Sequence, residues 1–239
     1  MLYGTEFYNK IVEYKNSSGT NIVTNKKYAD LILNAAITSR VSAYHLASRI
    51  KQEVGPFLSH HSISGTISGY EGLYNFYNIG ATSHPDHLQV IKNGLQYAKD
   101  GKGASQETKN KYMIPWNTKE KSITGGATFI GSSYINAGQN TVYLQKFHVV
   151  GDAGELFWHQ YMTNVLAPYS EAKIIHTGYS SGGLLNESMS FVIPIYNNMP
   201  NLSQENPNIL ESDFKTDNTK VYANVVRYIK CKNRTWNNL

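Results

Sequence analysis

The chain has 239 residues, enough for one sizeable domain or for one domain with an appendage. Its composition, 41% hydrophobic and 16% charged, is that of a globular protein and excludes a disordered one. A formal net charge of +5 points to an anionic partner. Lys and Arg are scattered, however, and no RRM, KH, zinc-finger or helix-turn-helix signature is present, so nucleic acid is not expected.

The single cysteine, Cys231, rules out an intramolecular disulfide and a cysteine-based metal site. No apolar run reaches membrane-spanning length. The start, Met1-Leu2-Tyr3-Gly4, lacks the basic and apolar regions of a signal peptide, so export would need another route or a leader outside this sequence. Tyrosine, with 18 residues against 8 Phe and 3 Trp, offers flat faces and hydroxyls to a ligand ring. It serves a core or a sheet face equally well, so composition does not assign its role.

In chain order, residues 1–24 read as strand or loop, with Ile22-Val23 before a turn. The spacing of Tyr28, Leu31, Ile32 and Ala35 predicts a helix from Lys26 to about Arg40. A second helix starts at Ser42, a suitable N-cap, and stops at Gly55-Pro56. Residues 57–84, rich in Ser, Gly and Tyr without helical period, predict hairpin and loop. Leu88, Ile91, Leu95 and Ala98 mark a helix that ends before Gly101, and the Lys-rich stretch 101–121 reads as exposed. Ile123, Ala127, Ile130, Tyr134 and Ala137 are again helical, with Gly125, Gly126 and Gly131 placed to allow close approach of a neighbour. Thr141 to Val149 has strand composition, and 157–166 is ambiguous. A helix from about Tyr169 toward Phe191 is interrupted at Gly182-Gly183. Ile193–Pro200 closes a domain, 201–218 is an Asn- and Asp-rich linker, and 221–231 alternates like one strand, a tail too short for its own core. No internal repeat is visible.

On a helical wheel of about 100° per residue, Ala43, Leu46, Ala47, Ile50 and Val54 share one apolar stripe. Glu53, seven residues after Leu46, lies about 20° from it, at the rim of that stripe in the last turn. A carboxyl against apolar surface has its charged form disfavoured, which is the condition for proton donation near neutral pH. The competing reading is a surface pair with Arg49, one turn earlier. A second carboxylate, Glu71, sits in the turn Gly69–Gly72, which suits either a cleft-facing loop or a solvated turn.

Other motifs fail on order or spacing. Gly178-Tyr179-Ser180-Ser181-Gly182 matches a nucleophile elbow, with Lys173–His176 as a possible strand before it. A hydrolase of that type needs a histidine after the serine, and the last histidine is His176. His84, Asp86, His87 and the pair His60-His61 lack helical metal-ligand spacing and read as turn residues, so no metal or other cofactor is expected. Cys231 has no histidine after it, so a papain-type order is absent.

The run Tyr44-His45-Leu46-Ala47-Ser48-Arg49-Ile50-Lys51-Gln52-Glu53-Val54-Gly55 resembles the catalytic helix of glycoside hydrolase family 73, the glucosaminidase domains of clostridial and staphylococcal autolysins. Gly69-Tyr70-Glu71-Gly72 through Tyr77-Asn78-Ile79-Gly80-Ala81 is similar to that family's Tyr-Asn-Ile-Gly-Ala block. Gly125-Gly126-Ala127, Gln139-Asn140-Thr141, Tyr143–Phe147, His159-Gln160-Tyr161 and Ile193–Pro200 follow in family order, so the resemblance covers residues 1 to about 200.

It implies an α+β, mainly helical, lysozyme-like fold with a small β-lobe flanking the cleft, a catalytic domain over 1–200 and a tail of unassigned role over 201–239. It also implies hydrolysis of the β-1,4 bond after N-acetylglucosamine in peptidoglycan. Glu53 maps onto the general acid, Glu71 onto a less uniform second acid, and Tyr161 onto a tyrosine that supports catalysis. Tyr70, Phe76, Tyr77, Asn78 and Gln160 become candidate substrate-binding residues. Met162-Thr163-Asn164 departs from an Ala-Thr-Asp pattern and removes one acidic contributor. The expected setting is a monomer at the cell wall, outside the cell, where anionic wall polymers suit the positive charge. Inverting, retaining and substrate-assisted routes all remain open, as do a muramidase and an inactive wall-binding module of the same fold.

Overall fold

A computed structural model describes residues 2–150, 154–162, 164–186, 190–196 and 225–232. Strands β1 (Ile11–Lys15) and β2 (Asn21–Lys27) form an antiparallel hairpin that pairs Glu13 with Val23 and Lys15 with Asn21. Helices α1 (Tyr28–Ser39), α2 (Ala43–Val54), α3 (His61–Ser64), α4 (His87–Asp100), α5 (Gln106–Lys111), α6 (Lys119–Ile130), α7 (Val142–Phe147) and α8 (Ala167–Ser181) follow. Strand β3 (Ser190–Tyr196) pairs antiparallel with β4 (Val225–Lys232). The architecture is α+β and mainly helical.

Apolar periodicity explains the first helices. Tyr28, Leu31, Ile32, Ala35 and Ala36 form the inner face of α1, which packs on both α6 and α2. Arg40, in the left-handed region, ends α1, and Gly55 ends α2. Asp86 caps α4 by accepting from the Leu88 N–H at 2.9 Å, and Gly101 closes it. The α6 glycines are contact points. A Cβ on Gly126 would enter the Tyr77 ring, and one on Gly131 would lie 2.8 Å from the Ser39 carbonyl oxygen.

Four sequence expectations are corrected. Residues 57–84 contain α3 and turns, with no strand. Their backbone groups find single partners instead of a ladder: Tyr74 N–H donates to Trp116 O, Asn75 N–H to Ser62 O and Phe76 N–H to Ser122 Oγ. Tyr74, Asn75, Phe76 and Tyr77 are all buried, so this segment belongs to the core. Within 101–121, Tyr112, Ile114 and Trp116 are also buried, with α5 as the exposed part. Thr141–Val149 is not a strand. Thr141 caps α7 by accepting from Leu144 N–H at 3.1 Å, and the helix buries Leu144 and Gln145, so tertiary packing overrides β propensity. Helix α8 stops at Ser181, and Phe191 lies in β3. The Gly178–Gly182 motif therefore sits on the end of a helix, and Lys173–His176 is helical.

Asn75 is the pin of the buried loop. Its Nδ2 donates to Ile79 O and Gly94 O, both at 2.9 Å, while its Oδ1 accepts from Ile79 N–H at 3.2 Å. These bonds lash residues 75–79 to α4. Asn75→Ala leaves those buried backbone groups unsatisfied and is expected to cost about 2–3 kcal/mol in urea unfolding.

Candidate active site

A cleft of about 690 Å³ opens where several parts of the fold converge. The end of α2 supplies Glu53, and the loop after the buried segment supplies Tyr77, Asn78 and residues 79–83. His87, Val90 and Ile91 come from α4, and Phe129 from α6. Tyr134, Tyr161, Met162 and Asn164 complete the lining, with His60 at the α3 end. Tyr134 reaches the cleft from a π-helical turn, Gly131–Ile135, that widens the helix after the Gly131 close approach. The β1–β2 hairpin contributes no lining residue.

Glu53 is the one carboxylate lining the cleft among the described residues. Burial pushes its pKa above the usual carboxylate range, against the opposing pull of Arg49 and a hydrogen bond from Asn78. Asn78 Nδ2 donates to the Glu53 carbonyl at 2.8 Å and to its Oε2 at 3.3 Å. To do so Asn78 takes a left-handed conformation, φ 48°, which Asn tolerates better than most residues. One side chain thus ties the loop to the last turn of α2 and orients the carboxyl.

Arg49 is not a surface partner of Glu53. Its side chain is 1% exposed, its Nη1 lies 3.0 Å from Glu171 Oε2 on α8, and its Nη2 donates to Gln145 Oε1 on α7. Its guanidinium carbon stands 4.2 Å from the centre of the Tyr161 ring. Tyr161 N–H donates to Gln145 O at 2.9 Å, and its hydroxyl donates to Tyr77 O at 3.3 Å. Burial and then the Glu53 charge raise the Tyr161 pKa well above its ordinary value, so it stays a neutral phenol. His45 also lies near Glu171, 3.9 Å away, and burial followed by Arg49 lowers its pKa to about 3, which keeps it neutral.

The other sequence candidates are placed elsewhere. Glu71 is exposed and outside the cleft lining, and both its oxygens accept from Gly69 N–H at 3.1 Å. A hydrogen bond from its own backbone, and then that from Gly69, hold its pKa below the usual range. Phe76 is fully buried against Phe7 and Tyr28. Tyr70 packs beside Leu73, Ile91 and Leu95 and donates to Gln96 Oε1 at 2.9 Å. Gln160 is exposed and accepts from Lys146 Nζ at 2.6 Å. Glu53, Tyr77, Asn78 and Tyr161 are therefore brought together, while Glu71, Tyr70, Phe76 and Gln160 are not. Sequence reasoning missed Tyr134, Gln145 and Glu171. The first had a helical-period signal only, Gln145 lay within the family-like block Tyr143–Phe147 without being singled out, and Glu171 had no signal that pointed to a site.

No family model matches the chain. It is 30% identical over 131 residues to the bifunctional autolysin of Staphylococcus epidermidis, covering 55% of this chain and 8% of that protein. It is 35% identical over 106 residues to the bifunctional autolysin of Staphylococcus aureus, covering 44% of this chain and 7% of that protein. The chain thus spans less than a tenth of the length of these curated relatives. Among solved structures, a catalytic mutant of S. aureus autolysin E in complex with the disaccharide NAG-NAM aligns with a TM-score of 0.48 at 17% identity, over 74% of this chain and 88% of that one.

Proposed function

We propose that this chain is a glucosaminidase domain of the glycoside hydrolase family 73 type and that it hydrolyses the β-1,4 bond between N-acetylglucosamine and N-acetylmuramic acid in peptidoglycan. Its similarity to the staphylococcal bifunctional autolysins supports this reading. The observation that carries the reading is the position of Glu53, a carboxyl whose protonated form burial favours, at the wall of a cleft large enough for sugar rings. Asn78 occupies Oε2, which leaves Oε1 to present the proton to the glycosidic oxygen. Tyr161 and Tyr77, whose pKa values burial raises, supply neutral aromatic wall beside it.

The proton route needs no second enzymic acid. With Asn164 standing where an aspartate is common and Glu71 tied to its own turn, the substrate's N-acetyl carbonyl attacks the anomeric carbon as the leaving oxygen takes the Glu53 proton. Water, giving its proton to the ionised Glu53, then opens the resulting ring and restores the acetamide and the acid. Residues 1–200 form the catalytic domain, and 201–239 form a tail whose strand β4 returns to pair with β3. The working site is the cell wall outside the cell, where a net charge of +5 favours a polyanionic substrate. Mass spectrometry of fragments released from purified wall tests this. New N-acetylglucosamine reducing ends are expected. Reducing N-acetylmuramic acid would make the chain a muramidase, and no new ends at all would make it a binding module.

A further inference from the structure

Burial favours the proton on Glu53, and the charge that opposes it lies outside the cleft. Arg49 lies one helical turn before Glu53, and a bare guanidinium at that distance, shielded from water, favours the ionised carboxylate. An ionised Glu53 cannot donate. Arg49 is not bare, because Glu171, 0% exposed, faces it from α8 at 3.0 Å. The same guanidinium is bonded to Gln145 and covers the Tyr161 ring, so its position also sets where those two groups lie.

We propose, building on the assignment of Glu53 as the acid, that Glu171 is a positioning residue for this site. Through Arg49 it fixes Gln145 and the cleft-lining Tyr161, and it offsets the guanidinium charge that draws Glu53 toward its ionised form. The other titratable groups around Glu53 leave this balance intact. His45 and Tyr161 are neutral, as are Tyr77 and Tyr134, whose pKa values burial raises. His60 and His87 line the cleft, and burial lowers the pKa of His60. Burial raises the Glu171 pKa to about 7, with Arg49 opposing and Glu53 adding to the rise. Glu171 therefore supplies its countercharge from about neutral pH upward, and the two carboxyls sense each other around one cation.

The test is a carbon-13 carboxyl NMR titration of the full chain, with the Glu53 resonance assigned by its loss in Glu53→Gln. In Glu171→Gln the Glu53 midpoint is expected to fall by about one pH unit, and the alkaline limb of the activity profile should fall with it. Arg49→Gln/Glu171→Gln, which removes both charges, should return the midpoint to within a few tenths of wild type. An unchanged midpoint in Glu171→Gln would overturn the proposal. If that variant does not fold, the double variant decides. A wild-type midpoint there, together with a rise in Arg49→Gln where Glu171 is left uncancelled, supports charge cancellation. An unmoved Arg49→Gln midpoint, or a double-variant shift of more than about one unit in either direction, refutes it. Because the titration needs no turnover, an active Glu53→Gln enzyme would sink the assignment of the acid separately.

Discussion

Glu53→Gln is expected to remove wall hydrolysis while leaving the fold and wall binding in place. Glutamine keeps the shape of the side chain and can still accept from Asn78, but it has no acidic proton to give. Loss of a positioned general acid lowers turnover by about 10²–10⁴-fold. Turbidity clearing of purified wall reads the chemistry, and co-sedimentation with the same wall reads binding. The buried carboxyl already pays a desolvation cost, so the amide should unfold no earlier than wild type. If Glu53→Gln cleared wall at the wild-type rate, the proton would have to come from another group.

Arg49→Leu is expected to be the most destabilising single change near the site. It leaves Glu171 and Gln145 buried without their cation and removes the cover of the Tyr161 ring. Breaking a buried pair from one side costs about 3–5 kcal/mol, a large part of the roughly 5–15 kcal/mol that holds a domain together. Urea unfolding followed by circular dichroism measures it. The paired replacement Arg49→Leu/Glu171→Leu should recover most of the loss, because no charge is then stranded. A double variant as unstable as the single one would mean that side-chain packing, and not the stranded carboxylate, sets the cost.

These two residues also mark how far the sequence could be read. The 3.6-residue period of α1, α2 and α4 was visible because each buries one face, and their Gly and Arg ends followed from the same local rules. That period placed Glu53 at the rim of an apolar stripe, and the structure has it at the cleft wall. The neighbouring Arg49 had the opposite fate. Its four-residue spacing from Glu53 suggested a surface pair, yet it turns inward. The reason is Glu171, more than a hundred residues away in the chain, which only the packing of α8 on α2 delivers.

Long-range contact likewise decided the segments whose local signals misled. Thr141–Val149 carries β-branched and aromatic residues, but the Thr141 cap and the demand of Arg49 for Gln145 make it helical. Residues 72–79 have no period because their backbone partners come one at a time from distant loops. Glu71 stands in a glycine turn that local chemistry describes well, and that chemistry could not say which side of the molecule the turn faces. Periodicity and capping act over four or five residues and are written in the chain. The partner of a buried charge, and the side of the cleft on which a loop lands, depend on which surfaces meet after collapse.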